Sequence, residues 1–364
     1  MAGSPYSPLK ILHHHDRLEQ LRKGEQIVPA QVQLIISDLC NQDCAFCAYR
    51  TSGYSSNQLF MLDAKPASFG HNNPVRMIPY AKIVEILNDC RDMGVGAIQL
   101  TGGGEPSVHP NFTQILEDIH ACGLDLALVS NGVRLLDSNI EHLARAKWVR
   151  ISVDAGTPET YCSVRRVSPA HWKQATDNIR KLAEAKQPGM LLGVGFVVTK
   201  DNYLEIVKGT ELAKELGADN IRISAVFQNE DSEYFDGAYS GILSQIAEAR
   251  ALADDKFTVF DNFGERYSDL RQKAPDYAFC GFQQFTTYIG GDMNVYRCCV
   301  TSYNEQGLIG SLKEQSFRQL WESEAKKQNF ASFDARSCQR CMFNNKNRVI
   351  LYAIDPDPQH VNYV

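Results

Sequence analysis

The sequence predicts an α/β fold: a partial parallel barrel of six βα units, followed by a small C-terminal unit made of a β-hairpin and a helix. Two observations carry this. Between Gln31 and about Phe227, short β-rich apolar runs alternate with longer stretches whose apolar residues recur every three and four positions. Beyond about residue 260 the alternation stops, and five of the eleven cysteines follow.

In chain order, QVQLIIS, AIQLTGG, DLALVSNG, WVRISVDA, MLLGVGFVVT and NIRISAVF are the six strands. Their near-continuous apolar character is that of strands buried on both faces. Between them lie the helical patterns AKIVEILNDCRDMG, NFTQILEDIHACG, SNIEHLARA, HWKQATDNIRKLAEAK and YLEIVKGTELAKELG, three of which close on Gly near the C-cap. Chemistry in such folds sits at the C-terminal ends of the strands. Helix pattern resumes in ILSQIAEARALADD, and FTVFDNF with a polar stretch then leads to Cys280. QFTTYIGGDMNVYRCC has the alternation of a hairpin around Gly290, Gly291 and Asp292, and SFRQLWESEAKKQ that of a short helix. The predicted organisation is an N-terminal extension over 1–30, the barrel over 31–260, the C-terminal unit over 261–350 and a tail over 351–364.

With 364 residues, 44% hydrophobic and 22% charged, the chain has the composition of an ordinary globular protein. A net charge of −6 gives no strong nucleic-acid signal. No apolar run approaches the roughly 18 residues of a membrane span, and the N-terminal stretch lacks a signal-peptide pattern, so a cytoplasmic location is expected. In that reducing setting clustered cysteines are metal ligands or reactive thiols rather than disulfides.

The first strand runs into DLCNQDCAFCAYR, which spaces Cys40, Cys44 and Cys47 as C-x3-C-x2-C. A structural zinc site takes four protein ligands, and this loop is one short. Three cysteines on an iron–sulfur cluster leave one iron open to another molecule. At these residues the chain resembles the radical SAM superfamily, whose signature has an aromatic residue, here Phe46, before the last cysteine. LTGGGEP (100–106) is similar to the family's GGE segment; SNG (130–132) and ISVDAGTPETYCSVRR follow strands three and four as family members' segments do.

The resemblance implies that Cys40, Cys44 and Cys47 ligate a 4Fe–4S cluster whose open iron binds the methionyl group of S-adenosylmethionine. One electron then yields methionine and a 5′-deoxyadenosyl radical. It also implies cofactor-binding roles for Phe46, Gly103, Gly104, Glu105, Asn131, Ser152 and Arg165. The glycines would admit backbone to the ligand, Glu105 would pair with the methionyl amine, and Asn131, Ser152 and Arg165 would contact ribose or carboxylate. TGGGEP carries one glycine more than the TGGEP of many relatives, which leaves the register of Gly102 and Gly103 open. An electron donor such as flavodoxin or ferredoxin and a small-molecule or peptide substrate are the implied partners.

Cys280, Cys298, Cys338 and Cys341 form C-x17-C-x39-C-x2-C, and four soft ligands suit an iron–sulfur cluster or zinc equally. Behind a radical SAM barrel this pattern resembles the auxiliary-cluster module called Twitch, a shorter relative of SPASM, and so implies one auxiliary 4Fe–4S cluster. Cys299 beside Cys298 would face the other way on a strand, so only one of the two binds the cluster: either the assignment shifts by one, or Cys299 points elsewhere. The substrate is oxidised if the auxiliary cluster accepts the radical's electron, or epimerised if a thiol returns a hydrogen atom; Cys299 and Cys162 are the catalytic candidates for that thiol, and the competing reading of Cys162 is a small buried hydrophobe. The rival function is a non-catalytic, zinc-stabilised binding protein on a βα scaffold. Cys90 and Cys122 are packing residues, His13, His14 and His15 a solvated face, and His109 a cap or turn residue. The long 48–79 connection, with Tyr54, Phe60 and Phe69, is an active-site lid or a surface excursion.

Overall fold

The computed structural model describes residues 5–50, 56, 58–61, 74–227, 231–355 and 358–359. Its strands are β1 (Gln31–Leu34), β2 (Ala97–Leu100), β3 (Asp125–Ser130), β4 (Trp148–Ser152), β5 (Leu191–Val198), β6 (Asn220–Ala225), β7 (Thr258–Asp261), β8 (Thr286–Ile289), β9 (Asn294–Tyr296) and β10 (Leu308–Ser311). They form one sheet in the order β10-β9-β8-β1-β2-β3-β4-β5-β6-β7. Neighbours from β8 through β1 to β7 are parallel, whereas β8, β9 and β10 pair antiparallel.

The six expected strands are present, and the parallel array is longer than expected. FTVFDNF supplies β7, which escapes an apolar-run criterion because this edge strand has no fully buried residue. The expected hairpin forms as β8 and β9, but β8 also joins the barrel sheet, with Gln33 beside Tyr288.

Helices α1 (His15–Arg22), α2 (Tyr80–Met93), α3 (Phe112–Ala121), α4 (Asp137–Leu143), α5 (Pro158–Arg165), α6 (Pro169–Ala185), α7 (Ile206–Glu215) and α8 (Tyr239–Arg250) precede or connect the first seven strands. Then come α9 (Phe263–Gln272), α10 (Phe282–Phe285), α11 (Phe317–Glu322), α12 (Glu324–Ala331) and α13 (Asn344–Ile354). In α2 the stripe Ile83, Ile86, Leu87 and Cys90 is buried, and Gly94 at φ 84° ends the helix in a left-handed cap that a Cβ would disfavour. Such stripes pack on Val32, Leu34, Ile98, Leu100, Val149 and Ile151, all on one face of the sheet. Cys90 and Cys122 belong to this packing, and His13 and His15 are exposed.

The other face corrects the idea of strands buried on both sides. In β1, β2 and β4 every second residue is only half-buried: Gln31, Gln33, Gln99, Arg150 and Ser152 among them. The helices cover one side, and the interior of the partial barrel is lined by polar side chains. Of the 48–79 connection, Tyr54 and Phe69 lie outside the described residues, and Phe60 is fully buried.

Glu205 fixes the start of α5. Its carboxylate accepts from the Gly156 and Thr157 amides (2.8 and 3.1 Å) and from the Thr157 and Thr160 hydroxyls (both 2.7 Å). Because α5 carries Arg165 in its last turn, this cap positions a side chain of the site below. Glu205→Ala strands these donors and is expected to lower stability by about 1–3 kcal/mol in urea denaturation.

Candidate functional site

The cysteine loop after β1 is clamped between the end of β2 and the end of α5. The Gly104 and Glu105 amides donate to the carbonyls of Ser37 and Leu39 (3.0 and 2.9 Å), while the Asp43 and Ala45 amides donate to Arg165 and Val164 (3.3 and 2.9 Å). Each sulfur faces a nitrogen donor: Arg50 Nε lies 3.3 Å from Cys47 Sγ, Arg165 Nη1 3.8 Å from Cys44 Sγ, and Asn131 Nδ2 4.0 Å from Cys40 Sγ. Burial pushes the Cys40 thiol up to about 12 and the Cys44 thiol upward as well, so both are protonated without metal. A coordinated iron would expel those protons, and the donors would then face thiolates.

The GGE segment serves the loop itself. A Cβ on Gly104 would stand 2.2 Å from the Leu39 carbonyl oxygen, and one on Gly103 would stand 2.7 Å from both Asp38 Oδ1 and Phe60. The missing side chains therefore make room for the cysteine loop and its aromatic support. Glu105 is likewise engaged. Its Oε1 accepts from the Ser107 amide (3.1 Å), Ser107 Oγ (2.7 Å) and Ser130 Oγ (2.7 Å), and its Oε2 from the Asn131 amide (2.8 Å). Only Oε2, with a single donor, keeps room for another partner.

Asn131 Nδ2 donates to Asn41 Oδ1 (2.7 Å), which ties β3 to the cysteine loop. Arg165, 3% exposed, holds an ion pair with Asp154 and donates to Gln42 Oε1 (2.6 Å) and the Val153 carbonyl (3.1 Å). Sequence cast both as cofactor contacts; here their polar atoms brace the loop. Ser152 Oγ, at the end of β4 on the barrel-interior face, makes no hydrogen bond among the described residues. Phe46 is half-buried against the main core. His109 caps a turn, its ring bonded to the Ile78 carbonyl and the Asn111 amide.

Cys280, Cys298, Cys338 and Cys341 line one pocket, with Arg297, Tyr277 and Phe343 on the same wall. The Phe343 amide donates to Cys341 Sγ (3.3 Å), Tyr277 Oη lies 3.6 Å from it, and Thr301 Oγ1 lies 3.5 Å from Cys298 Sγ. Four thiols around one pocket suit an iron–sulfur cluster, where each thiolate would bind a different iron. Cys299 does not line the cavity. Its Sγ sits 3.9 Å from Met342 Sδ, and Arg266 and Lys346 are the cations nearest its charge. Cys298 and Cys299 point apart although β9 ends at Tyr296, before either. Cys162 packs against the apolar core of the helix layer.

Sequence reasoning missed a buried link between the two cysteine sets. Asp38, two residues before Cys40, is wholly buried, ion-paired with Arg76 (Nε–Oδ2 2.8 Å), and accepts a hydrogen bond from Tyr303 Oη. Tyr303 Oη also accepts from the Gly291 amide (2.9 Å) in the hairpin turn. Phe60, Tyr49, Tyr288 and Tyr296 pack around it, with Tyr49 and Tyr288 hydroxyls 2.9 Å apart. The tyrosine richness of the segment after β8 was the available signal. Tyr303→Phe removes one donor from Asp38 and the acceptor of Gly291, and is expected to cost about 1–3 kcal/mol of stability by differential scanning calorimetry.

Comparison with known proteins completes the site. A family model described as the radical SAM superfamily matches residues 34–213, and one for SPASM, an iron–sulfur cluster-binding domain, matches residues 280–342. The chain is 27% identical over 246 residues to an AdoMet-dependent heme synthase of Methanosarcina barkeri, covering 62% of this chain and 68% of that protein. It is 23% identical over 268 residues, 67% of this chain and 72% of the relative, to a tungsten-containing aldehyde ferredoxin oxidoreductase cofactor-modifying protein of Pyrococcus furiosus. Among solved structures, Streptococcus suis SuiB bound to S-adenosylmethionine superposes with a TM-score of 0.63 at 15% identity, over 91% of this chain and 74% of that one. The anSMEcpe structure with bound AdoMet gives 0.58 at 14% identity over 88% of each chain.

Proposed function

The chain belongs to the radical SAM superfamily and carries a SPASM-type domain, and we propose that Cys40, Cys44 and Cys47 hold the 4Fe–4S cluster that binds S-adenosylmethionine, while Cys280, Cys298, Cys338 and Cys341 hold one auxiliary 4Fe–4S cluster. As a radical SAM enzyme it uses the bound cluster and S-adenosylmethionine to supply a 5′-deoxyadenosyl radical that takes hydrogen from an organic substrate. The observation that carries the ligand assignment is the shared cavity of the four C-terminal cysteines, with Cys299 outside it.

The chain's own residues then divide the work. Arg50, Arg165 and Asn131 direct N–H groups at the three loop sulfurs and so set the charge around them. Glu105 holds the ends of β2 and β3 together and offers Oε2 to the methionyl ammonium. Ser152 Oγ is free to bond the nucleoside. A small-molecule or peptide substrate and an electron donor such as flavodoxin or ferredoxin complete the reaction. A cytoplasmic setting is the one in which cysteines outside disulfides are expected; among the described residues no helix is long and apolar enough to cross a membrane.

We take net oxidation as the outcome: the auxiliary cluster that the four C-terminal cysteines would hold would accept one electron as the substrate radical loses a proton, giving a product two electrons poorer. The position of Cys299 favours a second reading, in which its thiol returns a hydrogen atom, the product is redox-neutral, and an external electron restores the thiol. Turnover in deuterated water separates the two. A product two mass units lighter without solvent label supports oxidation; one deuterium at an otherwise unchanged carbon, lost in Cys299→Ala, supports the second.

Anaerobic reconstitution is expected to give about eight irons per chain, and about half that in the triple Cys40, Cys44 and Cys47 to Ala variant, which forms no 5′-deoxyadenosine. Cys298→Ala should lose about four irons and Cys299→Ala none. Stoichiometric zinc without iron overturns the assignment.

A further inference from the structure

The barrel interior carries positive charge that the chemistry described so far does not use. Arg150 of β4 and Arg222 of β6 both alternate with buried helix-side residues, Val149 and Ile151 in one strand and Ile221 and Ile223 in the other, so both face inward. Between them runs β5, whose residues in register are glycines: Gly193 beside Arg150 and Gly195 beside Arg222. No side chain from the intervening strand therefore separates the two guanidinium groups.

Neither arginine has a carboxylate partner among the described residues. Arg150 lies over Trp148 (5.5 Å), and Arg222 over Tyr6 (5.1 Å) with one bond from Nε to Asn262 Oδ1 (3.3 Å). Lys346 of α13 adds a third cation, packed on the rings of Phe282 and Phe343 (5.3 and 5.6 Å) with no ion pair of its own among the described residues. Burial, then the nearby Arg150 and Arg266 charges, pull Arg222 downward, and burial, then Lys10 and Arg222, lower Lys346. Glu265, whose charge reaches Arg222 and Lys346, is already bonded to Asn262 and Asn345, and Asp154, whose charge reaches Arg150, is already ion-paired with Arg165. Half-buried guanidinium groups whose nearest carboxylates are engaged elsewhere are costly, and a multiply charged oxyanion offsets that cost through bidentate bonds.

We infer that the substrate bears an oligoanionic group, a phosphate or paired carboxylates, held in the barrel interior between Arg150 and Arg222. This rests on the radical SAM reading above, with hydrogen abstraction taking place inside the barrel. The anchor sets the distance between the charged end of the substrate and the carbon presented at the strand ends.

The test is calorimetric titration of the iron-loaded enzyme, saturated with S-adenosylmethionine, with pyrophosphate and separately with citrate. One saturable site per chain is expected, and the tighter probe tells phosphate from carboxylate chemistry. Arg150→Gln and Arg222→Gln should each weaken that probe about tenfold or more. If either glutamine variant does not fold, Arg150→Lys and Arg222→Lys take its place, with a smaller weakening expected because lysine keeps the charge and loses the fork. Absence of saturable binding in the wild type, unchanged affinity in the variants, or loss of S-adenosylmethionine affinity in place of anion affinity overturns the inference. Iron content and 5′-deoxyadenosine release, measured on the same preparation, test the radical SAM reading separately.

Discussion

Four hydrogen bonds converge on the Glu105 carboxylate, and the geometry of the whole strand-end region follows from them. They fix the turn after β2 to Ser130 and Asn131 at the end of β3, while the Gly104 and Glu105 amides bind the cysteine loop from the other side. The loop that carries Cys40, Cys44 and Cys47 therefore inherits its position from the spacing of three parallel strands. A metal-binding loop set by a sheet is held in place before metal arrives, which lowers the ordering cost of binding. The close backbone approach of Gly104 to Leu39 is part of the same arrangement, since any Cβ there would drive the two segments apart.

A second buried carboxylate joins this region to the C-terminal module. Asp38 gives up its water to sit between Arg76, from the far end of the long connection, and Tyr303, from the segment after Cys299. Burying one charge against a guanidinium and a phenol adds little net stability, but it specifies one arrangement of three remote segments. Around it, the rings of Phe60 and Tyr49, each edge-on to Tyr303, fill the space between the two cysteine sets.

Features carried by nearby residues were legible in sequence. The triad spacing, the six apolar strands and the glycine-closed helices are local patterns, whereas sequence left open which of Cys298 and Cys299 joins the second cysteine set. What sequence could not supply was contact across the fold. Asp38 and Tyr303 are 265 residues apart, and nothing in either segment names the other. Gly103, Gly104, Glu105 and Arg165 were singled out, but their close approaches and hydrogen bonds to the cysteine loop and to β3 depend on partners from other segments that no local pattern names. Arg150 and Arg222 were hidden inside runs counted as apolar, because a count of hydrophobic residues ignores which face each one takes. β7 lacked a fully buried residue, and β8 had every sign of a hairpin strand with none of its second, parallel partner.

That second partner of β8 has a consequence for how the polypeptide matures. β1 is bordered by β2 on one side and by β8 on the other, and β8 emerges from the ribosome about 250 residues after β1. Until then one edge of β1 shows a row of unpaired amides and carbonyls, the form of exposed strand most prone to mispairing. Closing so long a loop makes this pairing a late and slow event. The cysteine loop leaves β1 beside that edge, so its surroundings are complete only once β8 has paired.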